Sequence, residues 1–165
     1  MQVPQGLKRT AAMVVLRCQS QFLLLKRKKT PNMGKYVPVG GKLDPFEDPR
    51  SAAIRETKEE TGLDISQLKY SGVLVETSPV DYNWQCHVYV ADIDWTPPPP
   101  CDEGELEWIG FDELEHLPTP PTDWILYQYM ARQQPFAFNA IYDAELNLLE
   151  MWEDIEGIRV FPKSR

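Results

Sequence analysis

The sequence predicts a mixed α/β protein in which helices cover a β-sheet. Short apolar, partly β-branched runs recur along the chain and are interspersed with two helix-like segments. One of those segments carries a start signal and a stop signal at its ends. No internal repeat appears, and the only low-complexity tract is a run of four prolines at 97–100. A length of 165 residues with 42% hydrophobic content fits one domain, residues 1–165, with a real core.

Residues 10–16 (TAAMVVL) and 21–25 (QFLLL) read as a β-hairpin or two neighbouring strands. The basic cluster Lys26 to Lys29 follows, then the turn-rich TPNMGK. Tyr36 to Val39 predicts a short strand running into Gly40-Gly41. The best-defined helix comes next. Asp48 caps it, Pro49 suits its first position because the missing N–H has no partner there, and Gly62 stands where a left-handed cap ends a helix. Leu68–Glu76 and Gln85–Ile93 predict strands joined through the turn-forming Ser78 to Asn83. Pro97 to Pro100 cannot continue a strand and predict a stiff extended loop. Glu105–Phe111 predicts another strand, Thr122–Gln134 a second helix, and Phe136–Tyr142 with Leu146–Trp152 the last two strands.

Bulk properties narrow the function. A net charge of −8, from 25 acidic and 17 basic residues, argues against gripping polymeric DNA or RNA, which needs a basic face. It is compatible with a phosphorylated small molecule bridged to carboxylates by a divalent cation. Two histidines give little support to a zinc site or a histidine-centred triad. No stretch approaches the roughly 18 consecutive apolar residues of a membrane span. The N-terminus lacks the apolar run of a signal peptide, so a mature chain starting near Met1 is expected. Three cysteines without metal-type spacing fit a reducing cytoplasm. A monomer or homodimer is expected.

The chemistry concentrates between Gly40 and Leu63. At about 100° per residue, Glu56, Glu59 and Glu60 fall within an arc of about 100° on the predicted helix. Ala52 and Ala53 lie on the same side one turn earlier, small enough to let another backbone approach, while Ile54, Thr57 and Thr61 point towards the presumed core. Like charges at these spacings destabilise a helix by a few tenths of a kcal/mol per pair. Arg55, four residues before Glu59, relieves part of this, and a divalent cation would relieve far more. A solvated acidic face is the alternative for such a stripe. Clustered hard oxygens are what magnesium or manganese prefers.

The segment Gly41, Glu47, Arg55-Glu56, Thr57, Glu59-Glu60, Gly62 and Leu63 resembles the signature of Nudix hydrolases. Every charged and glycine position of that pattern is filled. Thr57 departs from it, standing where a larger apolar residue is usual. The resemblance implies an α/β/α sandwich around a mixed sheet. It also implies that the Gly40 carbonyl and the carboxylates of Glu56, Glu59 and Glu60 hold magnesium (or manganese), with Glu47 and Arg55 as supporting ion pairs and Gly41 supporting the loop. A water activated there attacks one phosphorus of a diphosphate linkage, and Glu56 or Glu103 is the candidate base.

Past this signature the chain resembles the MutT-type subgroup that hydrolyses oxidised purine nucleoside triphosphates such as 8-oxo-dGTP to monophosphate and pyrophosphate. In CDEGELEWIGFDEL (101–114), Glu103 would serve catalysis or metal binding and Trp108 would lie beside the base. In PPTDW (120–124), Asp123 would hydrogen-bond a purine edge. Residues 136–152 resemble the closing hairpin of that subgroup. Two departures stand against it: Thr122 takes the place of a second acid, and Val37 stands where an asparagine would read the purine. Arg27 and Lys35 are candidates to face phosphates, with a solvated turn as the alternative for the basic cluster. Trp84, Trp95 and Trp152 read as core or sheet-face residues. Pro79, at the spacing that marks ADP-ribose pyrophosphatases, keeps a nucleoside diphosphate substrate as the enzymatic rival. A Nudix-like binding module without catalysis is the non-enzymatic one.

Overall fold

The structure is a computed structural model that describes residues 3–163. The expected start near Met1 lies outside them.

The sheet is organised around strand β1 (Arg9–Cys18), whose alternating residues are apolar on both faces. Ala12, Val14 and Leu16 belong to one core layer and Ala11 and Val15 to the other. Such two-sided burial is what a near-continuous apolar run encodes. β1 runs antiparallel to β2 (Gln21–Arg27), as the hairpin expectation requires. The two strands stay paired only from Leu16↔Leu23 to Cys18↔Gln21 and then diverge. β3 (Tyr36–Val37) takes the freed edge of β2, and β4 (Val39–Lys42) takes the freed edge of β1. Pro38, which has no N–H to donate, marks the break between them. This fork in the hairpin positions the site.

On the other side β1 pairs in parallel with β6 (Trp84–Asp92). β6 runs antiparallel to β5 (Lys69–Thr77), and β5 pairs in parallel with β9 (Phe136–Tyr142). β10 (Leu148–Glu153) and β11 (Ile158–Phe161) follow β9, while β7 (Pro100–Cys101) and β8 (Gly104–Gly110) extend the sheet beyond β2. Helix α1 (Pro49–Thr61) packs on one face with Ala12, Val14, Leu23 and Val39. Helix α2 (Pro121–Ala131) packs on the other with Phe22, Leu24, Leu74 and Phe138. The result is the α/β/α sandwich with a mixed sheet. No helix among the described residues is long and apolar enough to cross a membrane.

The boundary signals of α1 act as read. Asp48 accepts a hydrogen bond from the Ser51 N–H at 2.9 Å, Pro49 opens the helix, and Gly62 closes it at φ 75°. Thr57, fully buried, donates its hydroxyl to the Ala53 carbonyl at 2.8 Å, which is how a polar side chain is accommodated at an apolar position. Four expectations need correction. Ile54 is only half-buried, whereas Ala52 and Ala53 are wholly enclosed, because the helix lies close against β4 on its small residues. Helix α2 ends at Ala131, three residues before the expected limit, where the chain turns through Gln133 at φ 54°. Pro100 begins β7, at the sheet edge where a missing donor does no harm. β11 was not expected, because four residues after a charged turn show too little alternation to register.

Candidate active site

Helix α1 lies against β4, and the approach is close. A Cβ on Gly41 would sit 2.5 Å from Glu56 Oε1, and one on Gly40, at φ 153°, would sit 2.2 Å from the Ala12 carbonyl oxygen. Gly40 thus has no room for a side chain against β1, and a side chain at Gly41 would displace the Glu56 carboxylate. The Gly40 N–H donates to Glu60 Oε2 at 3.1 Å.

Arg55 gathers the surrounding acids. Its Nε and Nη2 donate to Glu47 at 2.9 and 2.8 Å, and its Nη1 donates to Glu56 at 2.9 Å and to Glu59 at 3.2 Å. Asp44 lies 3.3 Å away. These ion pairs hold the guanidinium well above its ordinary pKa, Glu47 contributing most. One cation thus serves four carboxylates, and Glu60 stands outside the arrangement. Burial raises the Glu60 carboxyl to about 7 against the pull of the Gly40 N–H; the charges on Glu56 and Glu103 push the same way, and Arg27 opposes them. The cluster therefore carries more negative charge than its own cations balance.

Among the described residues no three carboxylates, imidazoles or thiols already converge at metal-binding distance. Arg55 holds Glu56 and Glu59 on its own side and Gly40 holds Glu60, which accounts for the separation. The donor set nevertheless suits a hard divalent cation. It consists of carboxylate oxygens and a backbone carbonyl, the hard oxygen donors that such a cation takes.

Where β1 and β2 fork, a cavity of about 450 Å³ opens beside Gly40 and Gly41 on the α2 face. Its lining carries charge of both signs. Arg27, Lys35 and Lys42 contribute cations, and Arg27 is steadied by donating Nε to the Pro31 carbonyl at 2.8 Å. Glu76 and Asp123 contribute acids, Lys35 lies close enough to act on Asp123, and Met13, Leu74 and Trp84 are among the apolar residues. A smaller groove of about 200 Å³, between Arg17, Tyr70 and Met130, contains none of the candidate residues.

Comparison with known proteins agrees with this geometry. The NUDIX domain family model matches residues 6–132. YvcI of Bacillus subtilis (strain 168), an uncharacterised Nudix hydrolase, is 30% identical over 152 residues, covering 88% of this chain and 94% of its own. The chain is a Nudix hydrolase. YtkD of the same organism, provisionally named an 8-oxo-dGTP diphosphatase, is 43% identical over 84 residues, 49% of this chain and 48% of its own, so the match spans about half of that relative. A MutT protein from Bacillus halodurans has the same fold, with a TM-score of 0.78 at 22% identity over 89% of this chain and 98% of its own. This Nudix hydrolase therefore acts on nucleotide phosphoanhydride bonds.

The structure places the remaining candidates as follows. Glu103 lies in the turn between β7 and β8, 3.7 Å from Lys29 and close enough to raise the Glu60 carboxyl. Asp123 is buried in the first turn of α2 and lines the cavity, as do Arg27 and Lys35. Trp108 is a correction. It packs with the α1-side core and donates its indole N–H to the Thr96 carbonyl at 2.7 Å, so it is on the face opposite the cavity and not beside a base there. The alternation of β8 decides this, and a single register step separates the two faces. Trp84, read as a core or sheet-face residue, lines the cavity. Glu76, Tyr82 and Tyr142 escaped sequence reasoning. For Glu76 a signal existed: in β5 it follows Gly72 and Leu74 at inward-facing positions, where an acid breaks the apolar alternation.

Proposed function

We propose that this Nudix hydrolase is a magnesium-dependent pyrophosphohydrolase of nucleoside triphosphates, with an oxidised purine such as 8-oxo-dGTP as its substrate, giving monophosphate and pyrophosphate. The supporting observation is the make-up of the cavity beside α1. Arg27, Lys35 and Lys42 line it together with Glu76, Asp123 and apolar residues, and Arg27 lies close enough to act on Glu60. A polyphosphate is attracted by the cations and repelled by the two acids, so the base, not the phosphate chain, meets Glu76 and Asp123.

In this reading the Gly40 carbonyl, Glu56, Glu59 and Glu60 hold the cation. When bound, magnesium supplies neutralisation of phosphate charge and acidifies water at neutral pH. Arg55 and Glu47 keep Glu56 and Glu59 oriented through the bonds described above. Arg27 and Lys35 draw the phosphates towards the helix. Glu56 or Glu103 accepts the proton of the attacking water, both being carboxylates at the edge of the cluster. Asp123 presents a polar contact to the purine edge.

Pyrophosphate release from canonical and oxidised nucleoside triphosphates, measured beside ADP-ribose hydrolysis with and without magnesium, tests the reading. The highest efficiency is expected on an oxidised purine triphosphate. Greater efficiency on ADP-ribose than on every triphosphate overturns it.

A further inference from the structure

The cavity contains a second buried acid beside Asp123. Glu76 is 6% exposed and Asp123 is 7% exposed, and both line the same cavity. The partners of Glu76 are unevenly distributed. Tyr142 and Tyr82 both donate their hydroxyls to Oε2, at 2.5 and 3.2 Å. Two donors occupy the two lone pairs of that oxygen. Oε1 has no hydrogen-bond partner among the described residues. Asp123 is similar: Thr122 reaches only Oδ1, at 3.5 Å, and Oδ2 has none. No fully enclosed side-chain nitrogen or oxygen among the described residues lacks a partner, so these two oxygens face the cavity and not dead space.

We infer that Glu76 is a specificity-determining residue whose free oxygen, beside that of Asp123, receives the N–H donors of a guanine-type base edge. The inference rests on the triphosphatase reading above and deepens it. A guanine presents two adjacent donors, N1–H and the exocyclic 2-amino group, and its 8-oxo form keeps both; adenine offers one amino group beside an acceptor. Two inward-facing carboxyl groups suit the first pattern. Met13, Leu74 and Trp84 in the wall leave an apolar setting for a planar ring. The protonation states agree. Burial, then the charge on Glu76, raise the Asp123 carboxyl to about 8, against Thr122 and Lys35. Burial also raises Glu76, but the two tyrosine hydroxyls and Lys8 oppose the shift. Asp123, held neutral near pH 7, keeps an oxygen able to accept an N–H, while its own O–H can donate to the neighbouring carbonyl of the same edge. An empty site leaves both groups poorly satisfied, so a base lacking the donors forfeits affinity.

Calorimetric titration of the full chain with GMP, IMP and AMP reads the base pocket without needing turnover. IMP is GMP without the 2-amino group and shares its ribose and phosphate. GMP should bind at least about tenfold more tightly than IMP, the scale of one lost hydrogen bond to a charged group. In Glu76→Gln the GMP:IMP ratio should fall towards about one. In Tyr142→Phe, which removes one donor from Oε2 and leaves Oε1 in place, the ratio should persist. Equal binding of GMP and IMP by the unaltered protein overturns the inference and points to a sugar or phosphate contact instead; this comparison needs no variant to fold. A Glu76→Gln protein that weakens all three nucleotides equally also overturns it, as a structural role would. Triphosphate turnover with an unchanged ratio removes only the role of Glu76. Absence of turnover on every triphosphate removes the triphosphatase reading, while the GMP:IMP ratio still decides whether Glu76 reads the base.

Discussion

The carboxylates of helix α1 and those under the cavity are two solutions to holding negative charge in one small protein. At α1, Glu47, Glu56 and Glu59 are shared by one arginine, while Glu60 stands apart and is raised mainly by burial. Under the cavity, Glu76 and Asp123 are taken out of water with neutral hydroxyl partners and no ion pair at salt-bridge distance among the described residues. A third acid shows what full satisfaction looks like. Glu153 is 1% exposed and accepts from the backbone N–H groups of Ala137, Ile155 and Glu156 at 2.8–2.9 Å. Burial pushes its carboxyl up, yet the three bonds outweigh burial and leave it below the ordinary glutamate range. Burial alone therefore does not mark a functional acid. The distinguishing trait is burial with an oxygen left over.

This contrast can be broken at several points. Glu60→Gln and Glu59→Gln should each lower kcat/KM by at least about a hundredfold while leaving the circular dichroism spectrum unchanged, as expected of residues proposed to hold the cation; unaltered rates would detach α1 from the chemistry. Glu153→Ala strands three N–H groups and should destabilise the fold by at least about 2 kcal/mol in urea titration, with little change in KM among molecules still folded. Asp123→Asn should behave in the opposite sense. A carboxyl raised from 3.8 to about 8 contributes stability that is complete below about 3.8 and is lost as pH rises through about 8. The unliganded variant should therefore gain thermal stability over the parent, and gain more at pH 9 than at pH 5. An equal change at both values would mean that Asp123 is not held neutral. Asp48→Ala, which removes only a helix cap, should lower Tm slightly and leave turnover as it was.

The acids of α1 could be read from the chain because helical periodicity is local. Spacing alone places Glu56, Glu59 and Glu60 together, and Asp48, Pro49 and Gly62 mark where the helix begins and ends. Arg55 is found the same way, being one turn from Glu59. Glu76 and Asp123 belong to β5 and α2, 47 residues apart in the chain, and nothing local announces that they share a cavity. Trp108 shows the converse: a plausible neighbour by motif is sent to the far face by the register of β8.

By itself the sequence determined a mixed α/β class, the boundaries of α1 and the composition of its carboxylate stripe, since each is read from periodicity and end signals local in the chain, and the α/β/α layering followed from the resemblance of residues 41–63 to a family signature. Only the tertiary structure decided that the β1–β2 hairpin forks, that Arg27, Lys35 and Lys42 line the opening, and that Glu76 meets Asp123 within it. Those outcomes depend on strand order and register, which are settled by the packing of the whole sheet against two helices.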